Sequence, residues 1–382
     1  MPRTRSAQRA GSFRSSGVGH ADVGTEPDRR TIITTGARRI GAATREARIT
    51  HADEHPPRDG EQGASRVTSS RPRAKKRGPC ATRIMFWPFS LFGNPGAETG
   101  VQELHESLCE TFRDYGRETV CQQHGLVAET RIEIWDYNEL KEYGSWQSDL
   151  RRHFKRTLDR GEFPIFIGGN HLAVLPILEA YAADTRRICV VSFDAHLDIY
   201  RWSQSKEVVN HGNFLLHLKR GENLAIVNVG HRELSLSSTA ISEVFAKSFG
   251  IDEIVTRGID GVIEELRRFL EGFDAIHIDL DVDVFDQATF RATGCPTPFG
   301  LTGRELLKML VSLWSEKLIG ISISEYNGLL DVDASGKGLL LWLLDYILLR
   351  RPRRATKQDQ VGKADDEGRL AAEELRRVTS SR

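Results

Sequence analysis

Downstream of Met85, short apolar runs bounded by Gly or Asp recur along the chain, separated by longer stretches whose apolar positions return every three or four residues. The runs at 163–168, 188–193, 224–229, 275–280 and 318–323 are predicted strands. Helical spacing predicts helices over 101–116, 146–160, 172–183, 260–271, 303–316 and 338–349. Strands alternating with helices predict a single α/β domain over 85–350, three-layered, with a mainly parallel sheet between helices. In such sheets function collects in the loops at the C-terminal ends of the strands.

The first 84 residues follow no such pattern. They are rich in Arg, Ser, Thr and Gly, with 18 Lys/Arg against 8 Asp/Glu. A segment of this kind cannot bury enough apolar surface to offset its ordering entropy, so 1–84 is expected to be a disordered basic extension, with initiation at Met85 as one reading. Its acidic residues argue against a transit peptide. The body carries 35 Lys/Arg against 45 Asp/Glu, which gives a nucleic-acid role no support from the rest of the chain. The folded body is expected to open at FWPFSLFGNPGAETG, where aromatics give way to turn-forming Asn94, Pro95 and Gly96. Residues 351–382 form a charged tail in which 365–377 could be a solvated helix. No apolar run reaches the roughly 18–20 residues that span a bilayer, since 339–349 is short and broken by Asp345, so no membrane role is expected. The N-terminus lacks a secretory core segment, and the five cysteines are scattered, which predicts free thiols and a cytoplasmic protein.

Three predicted strands run into clusters of His and Asp. IFIGGNH places His171 after a strand and a Gly pair; VVSFDAHLD supplies Asp194, His196 and Asp198; IHIDLDVDVFD supplies Asp279, Asp281, Asp283 and Asp286. In extended chain, side chains two apart share a face, so each Asp/His series is expected to point one way. Carboxylates gathered together repel and are costly to bury unless cations neutralise them. Carboxylates with imidazoles and no thiolate favour Mn²⁺, with Fe, Co, Zn or Ni also admissible. The number of ligands fits two metals better than one.

These motifs resemble those of the ureohydrolase family, the arginases, agmatinases and their relatives. The family's G-G-D-H is similar to Gly168-Gly169-Asn170-His171, and its D-A-H-x-D is unaltered at Asp194 to Asp198. Its S-x-D-x-D-x-x-D-P aligns with Asp279 to Gln287, with the register fixed by the following TGCPTPFGLTGRE. The resemblance implies the arginase-like fold, with one metal held by His171, Asp194, Asp198 and Asp281 and the other by Asp194, His196, Asp281 and Asp283. It further implies that His211 shuttles protons and that Glu325 binds the planar guanidinium. Tyr200 and Asn213 are candidate substrate contacts. The implied activity is hydrolysis of a guanidino compound to urea and an amine by hydroxide held between the metals, with Asp283 stabilising the intermediate and Asp283 or His211 delivering the proton. A homo-oligomer, trimeric or hexameric, is implied as well.

The chain departs from the family pattern at Asn170, in place of Asp, and at Asp279 and Gln287, in place of Ser and Pro. The role of Asp279 is left open. After D-A-H-x-D the loop reads IYRWSQSKEVVNHGN, where Tyr200 and Trp202 suit an amine or less polar tail better than a zwitterion. The expectation is therefore an agmatinase-like enzyme. The alternatives are a formimidoylglutamase-like hydrolase of a formimino group and a catalytically silent metal-binding regulatory homologue.

Overall fold

Eight strands make one sheet in which every pairing is parallel: β1 Thr82–Trp87, β2 Thr130–Ile134, β3 Phe163–Gly168, β4 Ile188–Phe193, β5 Leu224–Val229, β6 Lys247–Phe249, β7 Ala275–Asp281 and β8 Leu318–Ser324. Their order is β2-β1-β3-β8-β7-β4-β5-β6. The computed structural model describes residues 81–135, 143–201 and 208–352. The predictions for 1–80, for Trp202 and for the tail and its helix beyond 352 lie outside the described residues.

Successive side chains on a strand face opposite ways, and here both faces are covered. On β1, Ile84 and Phe86 join a core containing Val101, Leu104, Leu266, Leu310 and Leu344, while Met85 and Trp87 join a second core with Trp146, Phe154, Leu178 and Tyr181. The first core is roofed by helices Ala97–Arg117, Ile251–Leu270, Gly303–Leu313 and Ser335–Arg350, and the second by Tyr143–Asp159 and Leu175–Ala182. Double burial explains why β3 and β4 read as nearly continuous apolar runs, while β7 and β8 bury His277, Asp279 and Ser322 among their apolar residues. Helix Ile251–Leu270 is kinked at Gly258 (φ 73°), which is why periodicity marks only its second half. Thr302 and Glu305 form a reciprocal capping box that starts helix Gly303–Leu313 at the predicted place.

Three strands were not predicted. β1 begins at Thr82, ahead of the expected boundary at Met85, because the buried Arg83 belongs to the fold. Its guanidinium donates from Nε to Glu162 at 2.6 Å and also pairs with Glu133 on β2, which His153 contacts at 2.7 Å. An Arg inside an apolar run reads as a loop until its partners are known. Arg351, assigned to the tail, is likewise buried and bonded to Leu348 O and Glu129. β2 is an edge strand of polar character and β6 has only three residues, so neither leaves a periodic signal. Among the described residues no helix is long and apolar enough to cross a membrane, and Cys109, Cys121, Cys189 and Cys295 are free.

Candidate metal centre

The four central strands, β3, β8, β7 and β4, end side by side, and each delivers acidic or imidazole groups at its C-terminal end. After β3 the chain passes through Gly169, where a Cβ would lie 2.1 Å from Phe89 O, and His171 opens a 3₁₀ turn. After β4 come Asp194, His196 and Asp198. They do not share a face through extended geometry, as expected, but because the backbone turns back at Asp198 (φ 49°). Asn228 on β5 steadies that turn by donating to His196 O at 3.1 Å. After β7, Asp281 caps its own 3₁₀ turn by accepting from Asp283 N at 3.0 Å. Directly after β8 comes Glu325 (φ 65°), whose N–H donates to Gly169 O at 2.7 Å and ties the end of β8 to the β3 loop. Positive φ costs a non-glycine residue energy, and two of the five such positions among the described residues lie in this cluster.

Asp194 is shared by two groups. In one, His171 Nδ1 lies 2.9 Å from Asp198 Oδ2 and 3.3 Å from both Asp194 Oδ2 and Asp281 Oδ2. In the other, His196 Nδ1 lies 2.8 Å from Asp283 Oδ2 and 4.0 Å from Asp194 Oδ1. In the sets His171, Asp194, Asp281 and Asp194, His196, Asp283, the ligand atoms lie within 4.8 Å of one another. Asp279 belongs to neither set.

This much negative charge is not stable alone. Burial, together with Asp283 and Asp198, pushes the Asp194 carboxyl up to about 7. Burial, with the Asp283 and Asp194 carboxylates beside it, holds Asp281 well above the ordinary carboxylate value. Burial disfavours a charged His196, yet the hydrogen bond and charge of Asp283 outweigh it and raise the ring to about 10. Groups that hold protons so far from their ordinary values mark a place where positive charge is wanted, and a hard or borderline divalent cation supplies it through the same donor atoms.

The cluster floors a cavity of about 460 Å³. Glu325 reaches it with Oε1, which accepts from His171 N–H at 2.8 Å and faces His211 Nδ1 at 3.3 Å. Burial disfavours charge on His211, but Glu325 reverses this and lifts its pKa above the ordinary histidine value. Tyr200 lines the wall and donates to Glu233 Oε2 at 2.7 Å. Asn213 does not line the cavity. It is buried, with its side chain bonded to Val208 O and Asn210 N to close a turn, and from this loop Asn210 lines the space instead.

Several site residues were missed from sequence. Glu233, Ser235, Asn94 and Cys295 line the cavity, and Arg232 is bonded to the backbone beside them. Arg232 donates to the carbonyls of Gly230 and Val284 at 3.0 Å and of Asp283 at 2.6 Å, so it braces the segment carrying Asp283. Glu233 and Arg232 follow β5, so the strand-end rule that located the other groups would have found them. Cys295 and Asn94 carried no such signal. Among the described lining residues there is no Lys or Arg.

The arginase family model matches residues 82–347. Over 179 residues the chain is 26% identical to an agmatinase from Proteus mirabilis, covering 47% of this chain and 56% of that protein. Over 187 residues it is 30% identical to a guanidinopropionase from Pseudomonas aeruginosa, covering 47% and 58%. These matches span little more than half the length of the curated relatives. Among solved structures, the agmatine ureohydrolase of Thermoplasma volcanium superposes with a TM-score of 0.58 at 22% identity, over 72% of this chain and 90% of that one.

Proposed function

Since the chain belongs to the arginase family, the ureohydrolases, we propose that it hydrolyses a guanidino compound to urea and an amine at a pair of Mn²⁺ ions, with a substrate whose far end is cationic or neutral. The observation that carries this reading is the cavity itself. Its floor is the double His/Asp cluster, its depth holds Glu325, its wall holds Glu233, and no described lining side chain is a Lys or Arg that would pair with a carboxylate tail.

Each group has a role that follows from its position. Glu325, anchored by His171 N–H, is placed to accept hydrogen bonds from the guanidinium nitrogens, where charge assistance strengthens them. Metals held by His171, Asp194, His196, Asp198, Asp281 and Asp283 would supply a water acidic enough to act as nucleophile near neutral pH. Asp283 is fixed by Ala195 N–H at 3.1 Å and by His196, and so keeps a carboxylate oriented at the reacting carbon. His211, whose hold on a proton is strengthened by Glu325, can hand that proton to the departing amine and take one back from solvent. Glu233 has its Oε1 held by Ser235 N–H and Leu236 N–H, while Oε2 accepts from Tyr200 among the described residues and has a further lone pair to offer a substrate ammonium. These features favour an amine-tailed substrate such as agmatine over a carboxylate-tailed one.

The test is urea release by the full chain reconstituted with Mn²⁺, using agmatine, arginine, guanidinobutyrate, guanidinopropionate and guanidine, beside an Asp194→Ala control. Urea from agmatine, absent in the control, is expected. No urea from any of the five, with two Mn²⁺ bound per chain, would refute the reading.

A further inference from the structure

The side chain that no motif explained lies behind the metal ligands. Asp279 is buried on β7, one pleat short of Asp281, on the far side of the His171 ring from the acidic cluster. His171 Nε2 is 2.9 Å from Asp279 Oδ2, while Nδ1 faces Asp194, Asp198 and Asp281. Two serine hydroxyls also point at this carboxylate, Ser192 at 3.0 Å from β4 and Ser322 at 2.5 Å from β8. Ser322 in turn is 2.9 Å from His277 Nε2, and His277 Nδ1 is 2.9 Å from the Tyr181 hydroxyl.

The donor directions have one self-consistent solution. A carboxylate only accepts, so both serines and His171 Nε2–H donate to Asp279. Ser322, having given its proton, accepts from His277 Nε2–H, and the free His277 Nδ1 accepts from Tyr181. Each step of this line, from a helix through β7 and β8 to the site, runs toward Asp279.

We propose that Asp279 is a positioning residue of the metal centre: by accepting from His171 Nε2–H it fixes the ring's orientation and the tautomer whose Nδ1 lone pair faces the cluster. The proposal rests on the two-metal reading above. A carboxylate behind a ligating imidazole also makes that imidazole a stronger donor, and loss of such a partner costs about 10–100-fold in metal affinity. His196 has no contact with Asp279, so the effect belongs to one metal and not to the other.

Equilibrium dialysis of Mn²⁺ against the full chain, with electron paramagnetic resonance to separate coupled pairs from single ions, tests this. For Asp279→Ala, one Mn²⁺ is expected to bind as in the wild type and the other about 10–100-fold more weakly. At two equivalents the coupled-pair spectrum should give way to single ions. Asp279→Ser fills more of the space, still accepts one bond, and should fall between. Near-UV circular dichroism confirms that each variant is folded. A purely structural role would lower the melting temperature but leave the ratio of the two affinities unchanged, and that result overturns the proposal, as does equal weakening of both sites. A wild type that binds no Mn²⁺ would overturn the metal reading along with it.

Discussion

Glu233→Gln separates recognition of the substrate's tail from the chemistry at its guanidinium end. The side chain is half-buried in the cavity wall, with Oε1 occupied by backbone N–H groups and Oε2 by the Tyr200 hydroxyl. Burial alone would raise its carboxyl, yet the hydrogen bonds from Ser235 and Tyr200 prevail and hold it below the usual glutamate value, so it is anionic at neutral pH. A hydrogen bond to a charged group contributes about 1.5–3 kcal/mol, and partial exposure to water brings this to about 1–2 kcal/mol. At 1.36 kcal/mol per tenfold, the expected loss in kcat/KM for agmatine is about 5–30-fold. Butylguanidine, of matched length without the ammonium, should change less than about twofold by the same reasoning, and guanidinobutyrate should improve because a repulsion is removed. The assay is steady-state urea release for the three substrates with wild type and variant. An equal loss for agmatine and butylguanidine would show that Glu233 merely shapes the cavity wall; no loss for either would show that the tail does not reach it.

Two further outcomes follow from buried charge. Arg83→Met leaves Glu133 and Glu162 buried without their cation, an uncompensated pair loss of about 3–5 kcal/mol, which calorimetry should register as a melting temperature lower by about 6–20 °C. A chain begun at Met85 should show the same loss, and a fall under about 2 °C would refute the role given to Arg83. The second outcome concerns pH. Asp194 is raised in the metal-free fold, so its protonated form contributes stability that is fully present below the ordinary carboxylate range and is lost as pH rises through about 7. His196, raised to about 10, acts in the same direction at higher pH. Metal ligation needs both groups deprotonated, so Mn²⁺ should bind more tightly at pH 8 than at pH 6, with protons released. Chelator-treated protein should lose melting temperature from pH 6 to 8 while Mn²⁺-loaded protein does not; parallel curves would sink the account.

What could be read from sequence was whatever depends on neighbours along the chain. The five predicted strands were legible because burial on both faces leaves predominantly apolar runs, and Asp194, His196, Asp281 and Asp283 were legible because strand ends concentrate them in a few residues. Whatever depends on neighbours across the sheet was not. Arg83 reads as a loop residue until Glu133 and Glu162 are placed beside it from two other elements. Asn213 and Asn210 flank the same His-Gly pair, and only the turn's closure decides that Asn210 faces the cavity.

Asn170 shows the same limit from the opposite side. Standing next to a ligand where the family carries Asp, it looks from sequence like a change to the metal site. Its side chain instead turns away from His171, and Nδ2 donates to Leu91 O at 2.9 Å, in the segment whose Phe92 O accepts from His211 N–H. A carboxylate in that orientation would meet a carbonyl with no proton to offer, so the amide is what the loop requires. The carboxylate that bears on His171 Nε2, across the ring from the metal-facing cluster, comes from Asp279, more than a hundred residues away. Asn170 and Asp279 thus act on different parts: one docks the loop that positions His211, and the other orients a metal ligand.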